Sequence, residues 1–120
     1  MWIDHVQAHL IHFNPEKAET EIVYTHSNHP HLHTKAGVIG AGRAPEDVHY
    51  FDDIATKLKD ALGILIVGPG FEKLELMKHL LTNYDAIAQK VKSIETVDHP
   101  SDAQLLAHAR AYFLKADKLA

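Results

Sequence analysis

The stretch that most constrains the fold is GILIVGPG, residues 63–70, in which four large aliphatic residues stand in a row between glycines. A strand with one solvent-exposed face alternates apolar and polar residues, whereas a short continuous apolar run is typical of a strand covered on both faces. The run therefore predicts a central strand of a sheet, buried on both sides.

Helical patterns come before and after this strand in the sequence. Pro45 suits the first position of a helix, and Glu46 and Asp47 complement the positive end of its dipole. The apolar residues that follow recur at helical spacing and predict one buried face: Val48, Phe51, Ile54, Ala55, Leu58 and Leu62. A second helix is predicted over 71–82, and its apolar positions are Leu74, Met77, Leu80 and Leu81. A helical turn is predicted over 85–90.

The two ends of the chain add strands and a last helix. Residues 2–13 are predicted to be extended with a tight bend near 4–7, and TEIVYTH after the turn signal NPEKAE predicts a strand over 20–26. VKSIETVDH predicts a further strand. Ser101 and Gln104 have the spacing of a capping box, so the last helix begins beside Pro100. Its predicted buried residues are Ala103, Leu106, Ala109 and Phe113, with Leu105 and Tyr112 alongside.

This order of elements predicts an α/β fold, with a mixed sheet and helices packed on it. A chain of 120 residues suits one domain over 1–120. No apolar run approaches the ~20 residues that span a bilayer, and MWIDHVQAHL lacks the pattern of a signal peptide, so we expect a cytoplasmic protein without membrane contact. The absence of cysteine excludes disulfides and thiolate metal sites.

The stretch HSNHPHLHTKAGVIGAGRAPED, residues 26–47, predicts an exposed loop at about 27–44, because Pro30 interrupts regular structure and glycines follow. Its histidines could offer imidazole ligands to zinc, copper or nickel: His26, His29, His31 and His33. They match no known ligand spacing, so we expect no cofactor and keep a metal-binding loop as an alternative.

The glycine-rich part of this loop does not fit a nucleotide motif. AGVIGAGR lacks the Gly-Lys-Ser/Thr ending of a P-loop and does not directly follow a predicted strand. Lys35 and Arg43 bracket it with positive charge that suits a phosphate backbone. The net charge of −4 argues against a free-standing, charge-driven nucleic-acid binder.

Two further patterns have both a structural and a functional interpretation. Gly68-Pro69-Gly70 lies where α/β folds bind anions, although a tight turn between strand and helix is the better explanation of a lone Gly-Pro-Gly. Five acids could converge as a two-metal nuclease site or could instead be caps and solvated side chains: Asp4, Glu46, Asp47, Glu95 and Asp98.

Four stretches together resemble a small group of bacterial proteins described as translational machinery proteins: WIDHVQAHLIHF, HLHTKAGVIGAGRAPED, GILIVGPGFEKLELMKHL and VKSIETVDHPSDAQLLAHARAYF. That group is similar to the middle domain of archaeal and eukaryotic peptide-chain release factors and of the ribosome-rescue factor Pelota. The resemblance covers nearly the whole chain. It implies an RNase H-like mixed sheet, similar to that of ribosomal proteins S-eleven and L-eighteen.

In the release factors, the loop before the first long helix carries Gly-Gly-Gln and hydrolyses peptidyl-tRNA. The matching stretch here is KAGVIGAGR, residues 35–43, which has no Gly-Gly-Gln, so the hydrolytic role is not carried over. The resemblance implies instead a loop that contacts ribosomal RNA or tRNA. Its expected contact residues are Lys35, Gly37, Gly40, Gly42 and Arg43.

The resulting expectation is a translation-associated module that touches the ribosome or tRNA and has no enzymatic activity of its own. Two alternatives remain open. One is a metal-dependent phosphodiesterase of RNase H-like fold that uses Asp4 with later acids. The other is a metal-binding protein that uses His29, His31 and His33.

Overall fold

The computed structural model describes residues 1–25 and 45–119, and the side chains of 1–25 and 48–116. The elements, in chain order, are β1 (Trp2–Ile3), β2 (Gln7–Phe13), β3 (Ala18–Tyr24), α1 (Pro45–Leu58), β4 (Ile64–Gly68), α2 (Glu72–Asn83), α3 (Asp85–Ala88), β5 (Val91–Thr96) and α4 (Asp102–Leu119). Every element predicted outside the 27–44 loop is present, with boundaries that differ by one or a few residues.

The five strands form one mixed sheet in the order β3-β2-β1-β4-β5. The pairs β1–β2 and β2–β3 are antiparallel, while β1–β4 and β4–β5 are parallel. Consequently β1, β3, β4 and β5 run in one direction and β2 runs against them. The predicted α/β class with a mixed sheet is confirmed.

Side chains close the two turns of the β1–β2–β3 meander. The Asp4 carboxylate accepts hydrogen bonds from the backbone N–H groups of Val6 (2.8 Å) and Gln7 (2.9 Å). Asn14 Oδ1 does the same for Glu16 and Lys17, both at 2.8 Å. Short polar side chains that bond to the backbone two or three residues ahead stabilise such turns. Asp4 therefore has a structural role at the end of β1.

Strand β4 is covered on both faces, as the sequence predicted, because all five of its residues are buried. Ile64 and Ile66 belong to a core cluster that α1, α2 and α3 complete on one face. Leu65 and Val67 belong to a second cluster on the other face. Its remaining buried members are Trp2 of β1 and Leu105 and Ala109 of α4. The sheet thus lies between α1–α3 on one side and α4 on the other.

Three of the predicted buried stripes need correction. Leu62 is 94% exposed because α1 ends at Leu58, where a turn from Ala61 N–H to the Leu58 carbonyl (3.0 Å) leads into β4. On α2, Leu74 and Leu81 are exposed, and the buried residues are Lys73, Leu76, His79 and Leu80. On α4, Ala103 is exposed, while Leu105 and Ala109 form the buried contact.

The shift of the α2 stripe follows from a polar network that the aliphatic pattern does not reveal. His79 is 3% exposed, and its Nε2 lies 2.7 Å from Asp52 Oδ1 on α1. The Tyr84 hydroxyl, just before α3, donates to the same oxygen at 2.9 Å. The Asn83 amide nitrogen lies 3.2 Å from His79 Nδ1 and donates to the His79 carbonyl oxygen at 3.2 Å. A buried imidazole is tolerated here because both its nitrogens are satisfied.

This network alters the pKa of two of its members. Partial burial raises the pKa of Asp52, but hydrogen bonds from His79 and Tyr84 and the charges of nearby imidazoles lower it by more, so the pKa lies below its usual value. The hydrogen bond to the Asp52 carboxylate raises the pKa of Tyr84, as do burial and the Asp52 charge.

Gly68 is required where β4 approaches β1. A Cβ at this position would overlap the carbonyl oxygen of Ile3, a backbone atom that cannot move aside without disturbing the strand pair. We expect Gly68→Ala to lower the free energy of unfolding by about 1–3 kcal/mol or more. Gly70→Ala is the matched control, because an added Cβ there meets no atom within 4 Å. Urea denaturation measures both, and equal stability of the two variants would contradict the packing argument.

Asp52 is expected to make the free energy of unfolding depend on pH in the acidic range. Because its pKa is lowered in the folded protein, its contribution is present above the unfolded value of about 3.9 and is lost as pH falls through the folded pKa. Asp52→Asn should therefore be less stable at neutral pH and lose less stability than the wild type between about pH 5 and pH 2. Asp60→Asn, in the exposed turn after α1, controls for the loss of a surface carboxylate. Parallel pH profiles for the wild type and Asp52→Asn would refute this assignment.

Candidate functional site

The parallel strands place their carboxyl ends at one edge of the sheet, which we call the carboxyl edge. Asp4 follows β1, Gly68 ends β4, and the segment 97–101 follows β5. Thr25 follows β3 at the same edge, and its N–H donates to the Val6 carbonyl at 2.9 Å. Open α/β sheets bind ligands outside the carboxyl ends of their strands. The carboxyl edge is therefore where a ligand site is expected in this fold.

A cavity of about 420 Å³ opens at the carboxyl edge, and we call it the edge cavity. The segment 97–100 lines it together with Gln104, Leu105 and His108 of α4. A smaller cleft of about 140 Å³ shares His99, Pro100 and Leu105 with it. The other residues that line this cleft are Trp2, Gln7, His9 and Asp102.

Backbone and capping interactions hold the cavity wall at both ends. Val97 N–H donates to the Gly68 carbonyl at 3.1 Å, and the Trp2 indole N–H donates to the Asp98 carbonyl at 2.6 Å. The predicted capping box is confirmed at the start of α4. Ser101 N–H donates to Gln104 Oε1 at 2.8 Å, and Gln104 N–H donates to Ser101 Oγ at 3.1 Å. The segment 97–101 is therefore tied to β1, β4 and α4.

Three histidines around this edge each contact a carboxylate. His9 Nδ1 lies 2.8 Å from Asp102 Oδ1, and His99 Nδ1 lies 2.9 Å from Asp98 Oδ1. His108 Nε2 lies 2.7 Å from Glu95 Oε1. A carboxylate that accepts one ring N–H of a neutral imidazole fixes the tautomer and leaves the other nitrogen as an acceptor. Such rings can accept hydrogen bonds, transfer protons or stack against a planar ligand.

Trp2 links two of these histidines. Its ring centroid lies 5.7 Å from that of His9 in an edge-on arrangement and 5.0 Å from that of His99 in a tilted one. Buried aromatic rings prefer such offset and edge contacts. Trp2 therefore joins the α4 core cluster, the segment 97–101 and the smaller cleft.

The acids considered for a two-metal site have separate roles in the structure. Asp4 accepts bonds from its own turn and lies 3.9 Å from His99, Glu95 contacts His108, and the Asp98 side chain is 94% exposed. Glu46 and Asp47 have side chains outside the described set. Within residues 1–25 and 48–116, no group of three or more His, Asp or Glu side chains is arranged to hold a metal ion.

The predicted loop residues lie outside the residues that the structure describes. They are Lys35, Gly37, Gly40, Gly42 and Arg43, with the histidines at 26, 29, 31 and 33. The flanks of this segment are defined. Thr25 leaves β3 at the carboxyl edge, and the Tyr50 hydroxyl in the second turn of α1 donates to the Asp4 carbonyl at 3.0 Å. The described residues on either side of the segment 26–44 therefore both contact the β1–β2 turn.

The sequence does not reveal His9, His99 and His108 as a group, because they are far apart in the chain. His9 and Asp102 are 93 residues apart and meet because α4 packs on the face of the sheet that carries Trp2. The one local signal is the density of polar and aromatic residues in ETVDHPSDAQLLAHARAYF, which a strand, a capped helix and its buried face also explain.

No protein-family model matches this sequence, and comparisons with curated proteins and with solved structures give no match either. None of the described helices combines the length and apolar character needed to cross a membrane. The fold and the edge cavity define a small α/β protein with a mixed five-stranded sheet and a histidine-rich edge.

The capping box is expected to stabilise the start of α4 and the wall of the edge cavity. Ser101→Ala removes the acceptor for Gln104 N–H and should cost about 0.5–2 kcal/mol of unfolding free energy. Ser101→Asn keeps a capping acceptor without adding charge and should retain most of the stability. Thermal and urea unfolding of the three proteins measures the difference. If both variants lose the same free energy, the capping bond is not its source.

Proposed function

We propose that this protein is a translation-associated module that contacts RNA of the ribosome or tRNA and has no peptidyl-tRNA hydrolase activity. The observation that carries the proposal is the position of the flanks of the 26–44 segment. This segment occupies the slot of the release-factor catalytic loop in the resemblance, and the elements that flank it both contact the β1–β2 turn, Thr25 through the Val6 carbonyl and α1 through the Tyr50 hydroxyl on the Asp4 carbonyl.

The layout of the fold supports the resemblance on which the proposal rests. The elements follow the order that a release-factor middle domain would require. They are an antiparallel meander, a crossover helix, a buried parallel strand, a second crossover and a final helix. The order β3-β2-β1-β4-β5, in which β2 alone runs antiparallel to the rest, supports an RNase H-like sheet. Since a fold hosts many activities, the RNA-contacting role depends on the loop chemistry.

The residues of the loop suit RNA contact better than catalysis. Lys35 and Arg43 can contact phosphate oxygens, while Gly37, Gly40 and Gly42 allow a close approach of the backbone. The stretch lacks the glutamine of the release-factor Gly-Gly-Gln, so no such residue is present to position a water molecule for hydrolysis. The proposed role needs no cofactor and places the protein in the cytoplasm, with the ribosomes.

The metal-dependent phosphodiesterase has less support, because Asp4 is engaged by two backbone amides and Glu95 by His108. A two-metal mechanism needs carboxylates that converge on the same ions. The described residues offer no such group. The histidines of the alternative metal-binding loop lie in the segment 26–44, so direct metal analysis of the purified protein tests that alternative.

The decisive experiment is sedimentation with ribosomes. The double variant Lys35→Ala, Arg43→Ala should bind ribosomes about tenfold or more weakly than the wild type. Each lost phosphate contact should also reduce the slope of log K against log salt concentration by about 0.7–0.9. Lys59→Ala, Lys115→Ala makes the same change in net charge at exposed positions at the ends of α1 and α4 and should bind like the wild type. Neither protein should hydrolyse peptidyl-tRNA above background.

Absence of the wild-type protein from every ribosomal fraction during growth, starvation and stalling would overturn the proposal. Equal loss of binding in both double variants would show that net charge, and not the loop, carries the interaction.

A further inference from the structure

The walls of the edge cavity are suited to a flat, largely apolar ligand. Val97, Pro100 and Leu105 give it apolar surfaces, and the rings of His99 and His108 also line it. Imidazole rings and apolar side chains both stack against unpaired bases in protein–RNA complexes. The cavity has a volume of about 420 Å³ and is open to solvent, so it has room for one planar ring system.

The cavity offers hydrogen-bond acceptors on Asp98 and His108 and a donor on Gln104, whose Oε1 accepts from Ser101 N–H and whose amide nitrogen can donate. The Asp98 side chain is exposed and acceptor-only when ionised. His108 donates from Nε2 to Glu95 when its ring is neutral, so its Nδ1 is an acceptor. A planar ring that presents N–H donors beside a carbonyl oxygen matches this set of acceptors and one donor group.

The charges around the cavity argue against a phosphate as the group that enters it. No lysine or arginine is among the residues that line it in the described part of the chain. Glu95, Asp98 and Asp102 instead contribute negative charge at or beside it. Like charges at short distance repel, so a phosphate would be disfavoured, whereas a neutral base with amino groups would be attracted.

We infer that the edge cavity binds a single amino-bearing nucleobase of an RNA strand, with guanine as the best fit. This inference rests on the proposed RNA-contacting function and names the chemical group recognised at the carboxyl edge. Guanine offers its ring N1–H and its amino group side by side, which suits a carboxylate such as Asp98. Uracil has no amino group, so it offers a carboxylate one ring N–H where guanine offers two adjacent donors.

Trp2 provides a reporter for this site. It is the single tryptophan of the chain, its indole N–H donates to the Asp98 carbonyl, and its ring contacts His99. A base that enters the cavity changes the surroundings of His99 and Asp98. The emission of Trp2 should therefore change in a saturable way as the cavity fills.

The test is a titration of the purified full chain with guanosine, uridine, a short guanine-containing oligoribonucleotide and an all-uracil oligoribonucleotide. Guanosine and the guanine-containing strand should change Trp2 emission with saturation, and the uracil ligands should bind about tenfold or more weakly. Asp98→Asn should remove most of this preference, and His108→Ala should weaken binding of the guanine ligands. His12→Ala, at an exposed position of β2, should bind like the wild type. Unfolding curves of each variant show whether it is folded.

The possible outcomes separate this inference from the proposed function. No saturable response to any ligand would overturn the inference, and ribosome sedimentation would still test the proposed function on its own. A response to guanosine without one to the guanine-containing strand would assign the cavity to a free nucleoside and overturn its role in RNA binding. Equal affinity for guanine and uracil ligands would overturn recognition by acceptor groups.

Discussion

The fold depends on the burial of β4 on both of its faces. A strand whose five residues are all buried removes apolar surface from water on two sides, and in this protein helices on each side of the sheet supply the matching surface. The close approach of Gly68 to Ile3 then fixes how near β1 lies to β4. Because β1 carries Trp2 on one face and Ile3 on the other, this strand pair connects both core clusters.

The carboxyl edge follows from the same arrangement. The parallel strands end together, so the turn residues that follow them become neighbours without any specific signal in the local sequence. The backbone of the 97–101 segment is fixed by Gly68, Trp2 and the capping box, while the side chains of Asp98 and His99 remain exposed. The edge thus combines a held backbone with accessible polar groups, a combination suited to recognition.

Local patterns predicted most of the fold, and long-range packing explains what they missed. The β4 run, the polar turns and the Ser101–Gln104 capping box have signals within a few residues, and the structure contains all of them. Burial of His79 depends on Asp52 in another helix, so the apolar pattern alone predicted Leu80 correctly but included the exposed Leu74 and Leu81. The His9–Asp102 contact and the cavity near it likewise require the packed sheet, so spacing in the sequence could not predict them.

The network around Asp52 also determines where α2 can lie on the sheet. A helix that presents only aliphatic side chains can slide along its neighbours at small cost, because hydrophobic contact has little directional preference. Hydrogen bonds are directional, and the two bonds to Asp52 Oδ1 form only when α1, α2 and the start of α3 are in one mutual register. In this protein, the polar residues on the buried side of α2 therefore select a single arrangement among several that the aliphatic residues alone would permit.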